Sequence, residues 1–227
     1  MKKKIFLTLN ILLMIALLCC VYVYTSITGK LVMLGITAGC FVTLGAVNLL
    51  CSLLTRPRKL AFPSALVLGL VLAMSGDLTL GMNFILGAGL FAAGHLLYAV
   101  AMYIHQRFSR LDALMSVAMF LIALALLTFT PSLYISDPAI RIVCYVYAVI
   151  ISLMAGKAIS CFLRQRTLTN ALLALGSVMF YFSDVMLILA WFAGAGRWAD
   201  LACCWTYFPG QGVLAHAVYW YVHENAA

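Results

Sequence analysis

The chain has 227 residues, of which 66% are hydrophobic and 9% are charged, and its formal net charge is +8. A soluble domain of this size needs more polar surface, so the composition excludes a soluble globular protein. The apolar runs are long and continuous, which is typical of transmembrane helices and not of the alternating strands of a β-barrel. Because the basic residues lie in short loops between these runs, we expect no nucleic-acid partner.

Eight apolar runs follow one another along the chain, and each has about the 17 to 25 residues needed to cross a bilayer. The predicted spans are residues 5–27, 31–54, 60–80, 84–104, 112–129, 139–163, 168–193 and 200–222. The first run is longer than the apolar core of a signal peptide, so we expect an uncleaved first helix. The sequence therefore predicts an all-α polytopic membrane protein with eight transmembrane helices in a single domain, residues 1–227.

The loops between the predicted spans differ in charge on the two sides of the membrane. One side carries ten basic residues: Lys2, Lys3, Lys4, Arg56, Arg58, Lys59, Arg107, Arg110, Arg164 and Arg166. The other side carries three, which are Lys30, Arg141 and Arg197, offset by Asp137 and Asp200. By the positive-inside rule, both termini are expected in the cytoplasm. We expect the protein in the bacterial inner (cytoplasmic) membrane.

The two halves of the chain resemble each other around two aspartates. Leu66-Val67-Leu68-Gly69 ends eight residues before Asp77, and Leu173-Ala174-Leu175-Gly176 ends eight residues before Asp184. The next span of each half holds Gly94-His95 or Gly210-Gln211. This pattern indicates two parallel repeats, 1–111 and 112–227, related by an axis along the membrane normal, although so short a match in an apolar chain also arises by chance.

Asp77 and Asp184 are the main candidates for function. An aspartate within a membrane span costs roughly 2.5–3.5 kcal/mol on insertion scales, so such a residue is a functional-site candidate by default. Asp77 lies seventeen residues into the third span and Asp184 sixteen residues into the seventh. We therefore expect both carboxyl groups at one depth, facing one cavity that is an active site. The alternative is that each carboxylate reaches water or a basic residue near the end of its helix.

Other polar residues accompany the two aspartates. His95 and Tyr98 share a helix face, as do Tyr207 and Gln211, while Tyr181 precedes Asp184 by one turn and Ser75-Gly76 precedes Asp77. Lys157 lies seven residues before Arg164, so we expect its long side chain to snorkel to that end of the helix and leave it out of the site.

No motif predicts a metal or another cofactor. The chain has no H-E-x-x-H, no C-x-x-C and no carboxylate–histidine cluster, and His105, His216 and His223 have no spacing partner. The eight cysteines are expected to be buried thiols that act as small apolar residues; they are Cys19, Cys20, Cys40, Cys51, Cys144, Cys161, Cys203 and Cys204.

Four segments carry a resemblance to a known family. They are Ser75-Gly76-Asp77-Leu78-Thr79-Leu80, the run from Phe91 through Gly94-His95-Leu96-Leu97-Tyr98, Phe182-Ser183-Asp184 and Tyr207-Phe208-Pro209-Gly210-Gln211. In this combination the chain resembles the YhhN/TMEM86 family of eight-span membrane proteins over residues 60–222. The family's early Lys-Pro has no clear counterpart here, and Lys30-Leu31 is the nearest pair.

The resemblance implies a lysoplasmalogenase, which hydrolyses the vinyl-ether bond of 1-alkenyl-glycerophospho-choline or -ethanolamine. The products are a fatty aldehyde and a glycerophospho base, and the partners are a lysophospholipid substrate and the bilayer. The expected catalytic residues are Asp77, Asp184 and His95; the expected substrate-binding residues are Tyr98, Tyr181, Tyr207, Gln211, Ser75 and Gly76. Vinyl-ether hydrolysis needs one carboxylic acid and one carboxylate, as glycosidases do.

Two other classes of function fit the same residues. Parallel repeats with acidic residues in the bundle also describe a transporter or proton-coupled carrier. The spans lack the paired glycine or proline interruptions of broken helices, which is evidence against a carrier. In a scaffold or assembly factor, the acids would be satisfied structural groups.

Overall fold

The computed structural model describes residues 2–26, 31–55 and 59–225, and these parts of the chain contain eight α-helices and no strand. The helices are α1 (Lys2–Ser26), α2 (Leu31–Leu54), α3 (Ala61–Leu80), α4 (Phe84–His105), α5 (Arg110–Phe129), α6 (Pro138–Arg164), α7 (Leu168–Phe192) and α8 (Arg197–Glu224). The predicted all-α class and the eight helices are confirmed. Lys30, Arg56 and Arg58, which entered the sequence predictions, lie outside the described residues.

Polar residues in the loops start several helices. Asn83 accepts a hydrogen bond from the backbone N–H of Leu86 at 3.0 Å and so caps α4. Asp137 accepts from the N–H of Ala139 at 2.7 Å at the start of α6, where Pro138 needs no donor partner. These caps set the helix boundaries because a first turn has N–H groups without helical partners.

Seven of the described helices, α1 to α7, are long and apolar enough to cross a membrane. Helix α8 has 28 residues but a less apolar composition, and it is not among the seven. It contacts α1, α2, α3 and α7, and fourteen of its residues are buried. A helix enclosed by other helices faces little lipid, so it can carry more polar side chains than its neighbours.

Six helices form a closed ring in the order α2, α3, α4, α6, α7 and α8, each packed on the next. Helix α1 packs on α2 and α8, and α5 packs on α6. Only 17% of the apolar window of α1, and the same share of that of α5, is buried inside the protein. These two helices therefore lie outside the ring with most of their surface toward lipid.

The two halves of the chain make matching contacts. Helix α3 packs on α4 as α7 packs on α8, and α2 contacts α8 as α6 contacts α4. A Cβ atom added at Gly69 would lie 3.1 Å from the carbonyl oxygen of Gly94, and one added at Gly176 would lie 2.9 Å from that of Gly210. Glycine lets the backbones approach this closely in both pairs. These contacts support the repeat, which stays a prediction.

The bundle has two ends, which we call the terminal end, where α1 begins and α8 ends, and the far end. At the terminal end, Lys59 donates to Asn225 at 2.8 Å, and Glu224 accepts from the N–H of Leu168 at 3.0 Å. At the far end, the N–H of Tyr134 donates to the carbonyl oxygen of Phe192 at 3.0 Å. The helices therefore alternate in direction as the eight-span prediction requires.

The cytoplasmic position of the terminal end is a prediction from charge, and labelling tests it. A single cysteine introduced between Arg107 and Arg110 should react with an impermeant maleimide only after the membrane is opened. A cysteine beside Asp137 should react in intact cells, because that loop lies at the far end. The background should be a variant without exposed native thiols. Equal reaction of both positions in intact cells would overturn the predicted orientation.

Close packing of α5 on α6 gives a second prediction. A Cβ at Gly156 would overlap the backbone of Ser116, so Gly156→Ala forces the helices apart. We expect a loss of about 1–3 kcal/mol of stability, seen as a lower midpoint in detergent unfolding. The matched control is Gly89→Ala, which meets nothing within 4 Å and should be neutral or stabilising. Equal midpoints for both variants would contradict the packing.

Candidate active site

Asp77 and Asp184 line one cavity of about 560 Å³, which we call the acid cavity. Each aspartate lies sixteen residues after the first residue of its helix, α3 or α7, which is about 24 Å along the axis. Both helices begin at the terminal end, so both carboxyl groups lie toward the far end. The structure thus brings the two predicted acids to one cavity at matched depth.

Asp77 is held by a tyrosine from the other half of the chain. The hydroxyl of Tyr207 on α8 donates to Oδ2 of Asp77 at 2.8 Å. The Tyr207 ring is fixed in turn by edge contacts with Phe180, at 5.0 Å between centroids, and with Phe208, at 4.8 Å. A buried aromatic ring with a hydrogen-bonded hydroxyl has little freedom, so the carboxyl group is held in one orientation.

Asp184 belongs to a three-residue hydrogen-bonded chain. The hydroxyl of Tyr147 on α6 donates to Oδ2 of Asp184 at 2.6 Å. Nε2 of His95 lies 2.7 Å from the same hydroxyl oxygen and 3.6 Å from Oδ2 of Asp184. When Asp184 is a carboxylate, Tyr147 gives its only proton to it, so the hydroxyl oxygen then accepts from Nε2–H of His95. His95 is 1% exposed, so this chain is shielded from bulk water on the histidine side.

An aromatic floor, made of Phe91, Phe180 and Tyr207, underlies the acid cavity. Phe180 packs edge-on against His95 at 4.4 Å and against Tyr207 at 5.0 Å, so one ring positions the partners of both acids. Phe91 contacts Tyr207 at 5.9 Å and also lines the cavity.

Tyr98 and Gln211 bond to each other and do not contact the acids. The Tyr98 hydroxyl donates to Oε1 of Gln211 at 2.7 Å, and both side chains are fully buried between α4 and α8. The Tyr98 ring lies 6.3 Å from that of His95. Their place in the structure is a link between the two halves next to the site.

The other three predicted binding residues do not line the acid cavity themselves. Ser75 donates to the carbonyl oxygen of Val71 at 3.0 Å within its own helix. A Cβ at Gly76 would lie 2.9 Å from the ring of Phe91, so this glycine makes room for part of the floor. The Tyr181 hydroxyl donates to the backbone of Met119 at 2.8 Å. Their roles in binding stay predictions.

A second, smaller cavity of about 90 Å³ lies between α4, α5, α6 and α7, and we call it the apolar cavity. Its walls are nearly all aliphatic or aromatic, and Tyr147 and Tyr181 lie among them. It shares four lining residues with the acid cavity, which are Leu80, Phe91, Asp184 and Leu187. Asp184 therefore lies at the junction of an apolar and a polar cavity.

The acid cavity opens at the far end of the bundle, where its lining changes in character. Arg197 and Asp200, both exposed in the first turn of α8, line this mouth together with Tyr24 and Trp191. Positive charge, negative charge and aromatic rings thus surround the entrance to the two partly buried acids.

Cys203 and Cys204 also line the acid cavity, and both are partly buried. The prediction that all eight cysteines are buried is wrong for Cys19, which is exposed on α1 because that helix lies outside the ring. Cys51, Cys144 and Cys161 are buried as predicted. Among the described residues, no three His, Cys, Asp or Glu side chains lie close enough together to hold a metal ion.

Tyr147 was missed by the sequence analysis although it contacts both Asp184 and His95. It lies nine residues after Pro138 at the far end of α6, and Asp184 lies eight residues before Phe192 at the far end of α7. Counting residues from the far end places Tyr147 and Asp184 at nearly the same depth, which identifies the tyrosine as a candidate partner of the aspartate. Its hydroxyl offers no signal by itself, because tyrosine is common in apolar helices.

Lys157 does not snorkel to water, and that expectation was wrong. It is fully buried and donates to Oδ2 of Asp112 at 2.9 Å and to the carbonyl oxygen of Gln106 at 2.8 Å. Asp112 also accepts from Ser160 and from the N–H of Ser109 at 2.9 Å. The lysine lies at the terminal end, away from the acid cavity, so leaving it out of the site agrees with its position.

Fold and site together define an integral membrane protein with a pair of partly buried carboxyl groups in a cavity open to one end of its helical bundle. Residues 37–218, most of the chain, match the YhhN family, and the protein belongs to it. Comparisons with curated proteins and with solved structures found no match.

Proposed function

We propose that this protein is a lysoplasmalogenase, which hydrolyses the vinyl-ether bond of 1-alkenyl-glycerophospholipids by general acid–base catalysis. The observation that carries the proposal is that both carboxyl groups line one open cavity with a charged mouth, and that Asp184 lies where this cavity meets an apolar one. A single-chain lipid has the same order of parts: an apolar chain, a reactive bond and a polar headgroup.

The reaction adds one water molecule across the vinyl ether. A carboxylic acid gives its proton to the β-carbon. The electron pair of the C=C bond forms the new C–H bond, and an oxocarbenium ion results. The second carboxyl group, as carboxylate, takes a proton from water while the water oxygen bonds to the α-carbon. In the hemiacetal, the bond between the α-carbon and the glycerol oxygen then breaks. The glycerol oxygen takes up a proton while the hemiacetal hydroxyl loses one, and the products are an aldehyde and a glycerophospho base.

Neighbouring side chains prepare the two carboxyl groups for these steps. Tyr207 holds Asp77, while Tyr147 holds Asp184 and is itself held by His95. Groups held in one orientation need no rearrangement when charge develops in the transition state. The oxocarbenium ion is positive, so a carboxylate nearby stabilises it, as in glycosidases.

The two cavities accept the two ends of the lipid. The apolar cavity, lined by residues such as Ala88, Cys144 and Ile188, takes the first part of the alkenyl chain next to Asp184. Its position between α4, α5, α6 and α7 leads the rest of the chain toward the lipid-facing side of the bundle. The glycerophospho base then extends through the acid cavity toward the mouth.

Aldehyde release from a lysoplasmalogen by the detergent-purified protein tests the proposal. The 1-alkyl analogue is the matched control substrate, because it has no double bond to protonate and should give no product. A carrier would instead move lipid or protons across proteoliposomes without forming aldehyde, and a scaffold would do neither. Absence of aldehyde from purified, folded protein would overturn the proposal.

A further inference from the structure

We propose that the mouth of the acid cavity is a binding site for a zwitterionic headgroup, in which Arg197 binds the phosphate while Asp200, Tyr24 and Trp191 bind the ammonium group. The proposal deepens the proposed function, on which it rests for the class of lipid. We call these four residues the mouth site.

The charges of the mouth site are available to a ligand. In the described residues, three pairs of a basic and an acidic side chain lie within 4 Å: His95 with Asp184, Lys157 with Asp112 and Arg164 with Asp112. The guanidinium group of Arg197 makes one long contact, 3.5 Å to the backbone carbonyl oxygen of Thr25. Although Asp200 lies three residues after Arg197 on the same helix, the two side chains do not pair within 4 Å in the described structure.

The mouth site lies at the distance that a headgroup requires. Trp191 is seven residues after Asp184 on α7, so it lies about 10 Å nearer the far end. Arg197 is ten residues before Tyr207 on α8, which is about 15 Å along the helix axis. The long side chain of Arg197 covers part of this distance. Six bonds join the vinyl carbon to the phosphorus and span about 7 Å when extended, and the ammonium group follows a few ångströms further on.

The combination of charges favours a zwitterion over an anion. A guanidinium group matches a phosphate through paired N–H donors, and a carboxylate attracts the ammonium group that follows it. Aromatic rings add cation–π attraction, which is the usual way proteins recognise quaternary ammonium groups. A phosphate without an amine would meet Asp200 with no compensating charge, so the site discriminates against it.

Binding of non-hydrolysable lipids tests the site without relying on turnover. The probes are 1-alkyl-glycero-3-phosphocholine, 1-alkyl-glycero-3-phosphate and 1-alkylglycerol, which share one chain and differ only in the headgroup. Kd is measured on the detergent-purified protein for the wild type, Arg197→Gln and Asp200→Asn. The matched control is Arg141→Gln, an exposed arginine of the far end that does not line the acid cavity.

Arg197→Gln should weaken binding of both phosphate-bearing lipids about twofold to fivefold, the range for an exposed charge pair, and leave 1-alkylglycerol unchanged. Asp200→Asn should weaken the phosphocholine lipid by a few fold and strengthen the phosphate lipid. Wild-type affinity of Arg197→Gln for the phosphocholine lipid, or an equal loss in Arg141→Gln, would overturn the proposal. Free phosphocholine at millimolar concentration should not compete, because it lacks the chain, and strong competition would assign the site to the soluble headgroup instead.

The same variants separate failure of the mouth site from failure of the proposed reaction. If headgroup selection by Arg197 and Asp200 is measured but no aldehyde forms, the mouth site stands and the hydrolysis does not. If aldehyde forms and Arg197→Gln leaves KM and Kd unchanged, the hydrolysis stands and the mouth site is overturned.

Discussion

Asp77→Asn and Asp184→Asn are each expected to lower kcat for vinyl-ether hydrolysis by about 10² to 10⁴, the usual contribution of a general acid or base. Asparagine keeps the size of the side chain and accepts the hydrogen bond from Tyr207 or Tyr147, but it neither gives nor takes the required proton. Because both groups act in one reaction, the double variant should lose little more than either single variant. Aldehyde release at saturating substrate is the measurement.

The matched control for these variants is Asp137→Asn. Asp137 is an aspartate of the far end that caps α6, and asparagine caps a helix equally well, so activity should be unchanged. Both active-site variants should unfold in detergent no earlier than the wild type, since asparagine needs no charge desolvated. Near-normal turnover in Asp77→Asn and Asp184→Asn would mean that the two acids are structural, and the catalytic proposal would fail.

The fold could be predicted because each helix is marked locally. Apolar runs of spanning length are interrupted by short polar or glycine- and proline-containing loops, and such interruptions end a helix wherever they occur. Helix α8 was also found in this way, although its composition is less apolar. What composition could not show is that α8 closes the ring, since its packing against α2 and α3 depends on residues far apart in sequence.

The two candidate acids could be predicted because a carboxylate is rare in a membrane span and equal depth follows from counting residues. Tyr207 and His95 were named as site residues, but the sequence did not pair them with a particular aspartate; in the structure Tyr207 contacts Asp77 and His95 lies beside Asp184. Tyr147 was missed because the neighbourhood of α4, α6 and α7 decides its role. Helical periodicity gives the face of a residue but not the helix it meets.

The different outcome for Lys157 has a similar cause. Depth along α6 correctly placed its ammonium group near the terminal end, but the sequence did not reveal its partner. Asp112 forms a capping box with Ser109 at the start of α5, so its pattern indicated a helix start and not half of an ion pair. One carboxylate serves both purposes, and only the packing of α5 on α6 brings the lysine to it.

Lys157→Met is expected to destabilise the protein by about 3–5 kcal/mol, which is the usual cost of breaking a buried ion pair by removing one partner. The substitution leaves the Asp112 carboxylate, 1% exposed, without its nearest cation. Arg164 lies 3.6 Å from that carboxylate and recovers part of the loss, so the lower end of the range is expected. The measurement is the free energy of unfolding in detergent, with exposed Arg166→Met as the control that should be neutral.

The double variant Lys157→Met/Asp112→Asn decides whether the pair itself causes this effect. Replacing both charges leaves no unpaired ion, and the amide oxygen of the introduced asparagine still reaches the N–H of Ser109, so most of the lost stability should return. Folded Lys157→Met protein should keep its hydrolytic activity, because the pair lies at the terminal end while the reaction takes place in the acid cavity. A double variant no more stable than Lys157→Met would show that the lysine acts through its bonds to Gln106 and Arg107 instead.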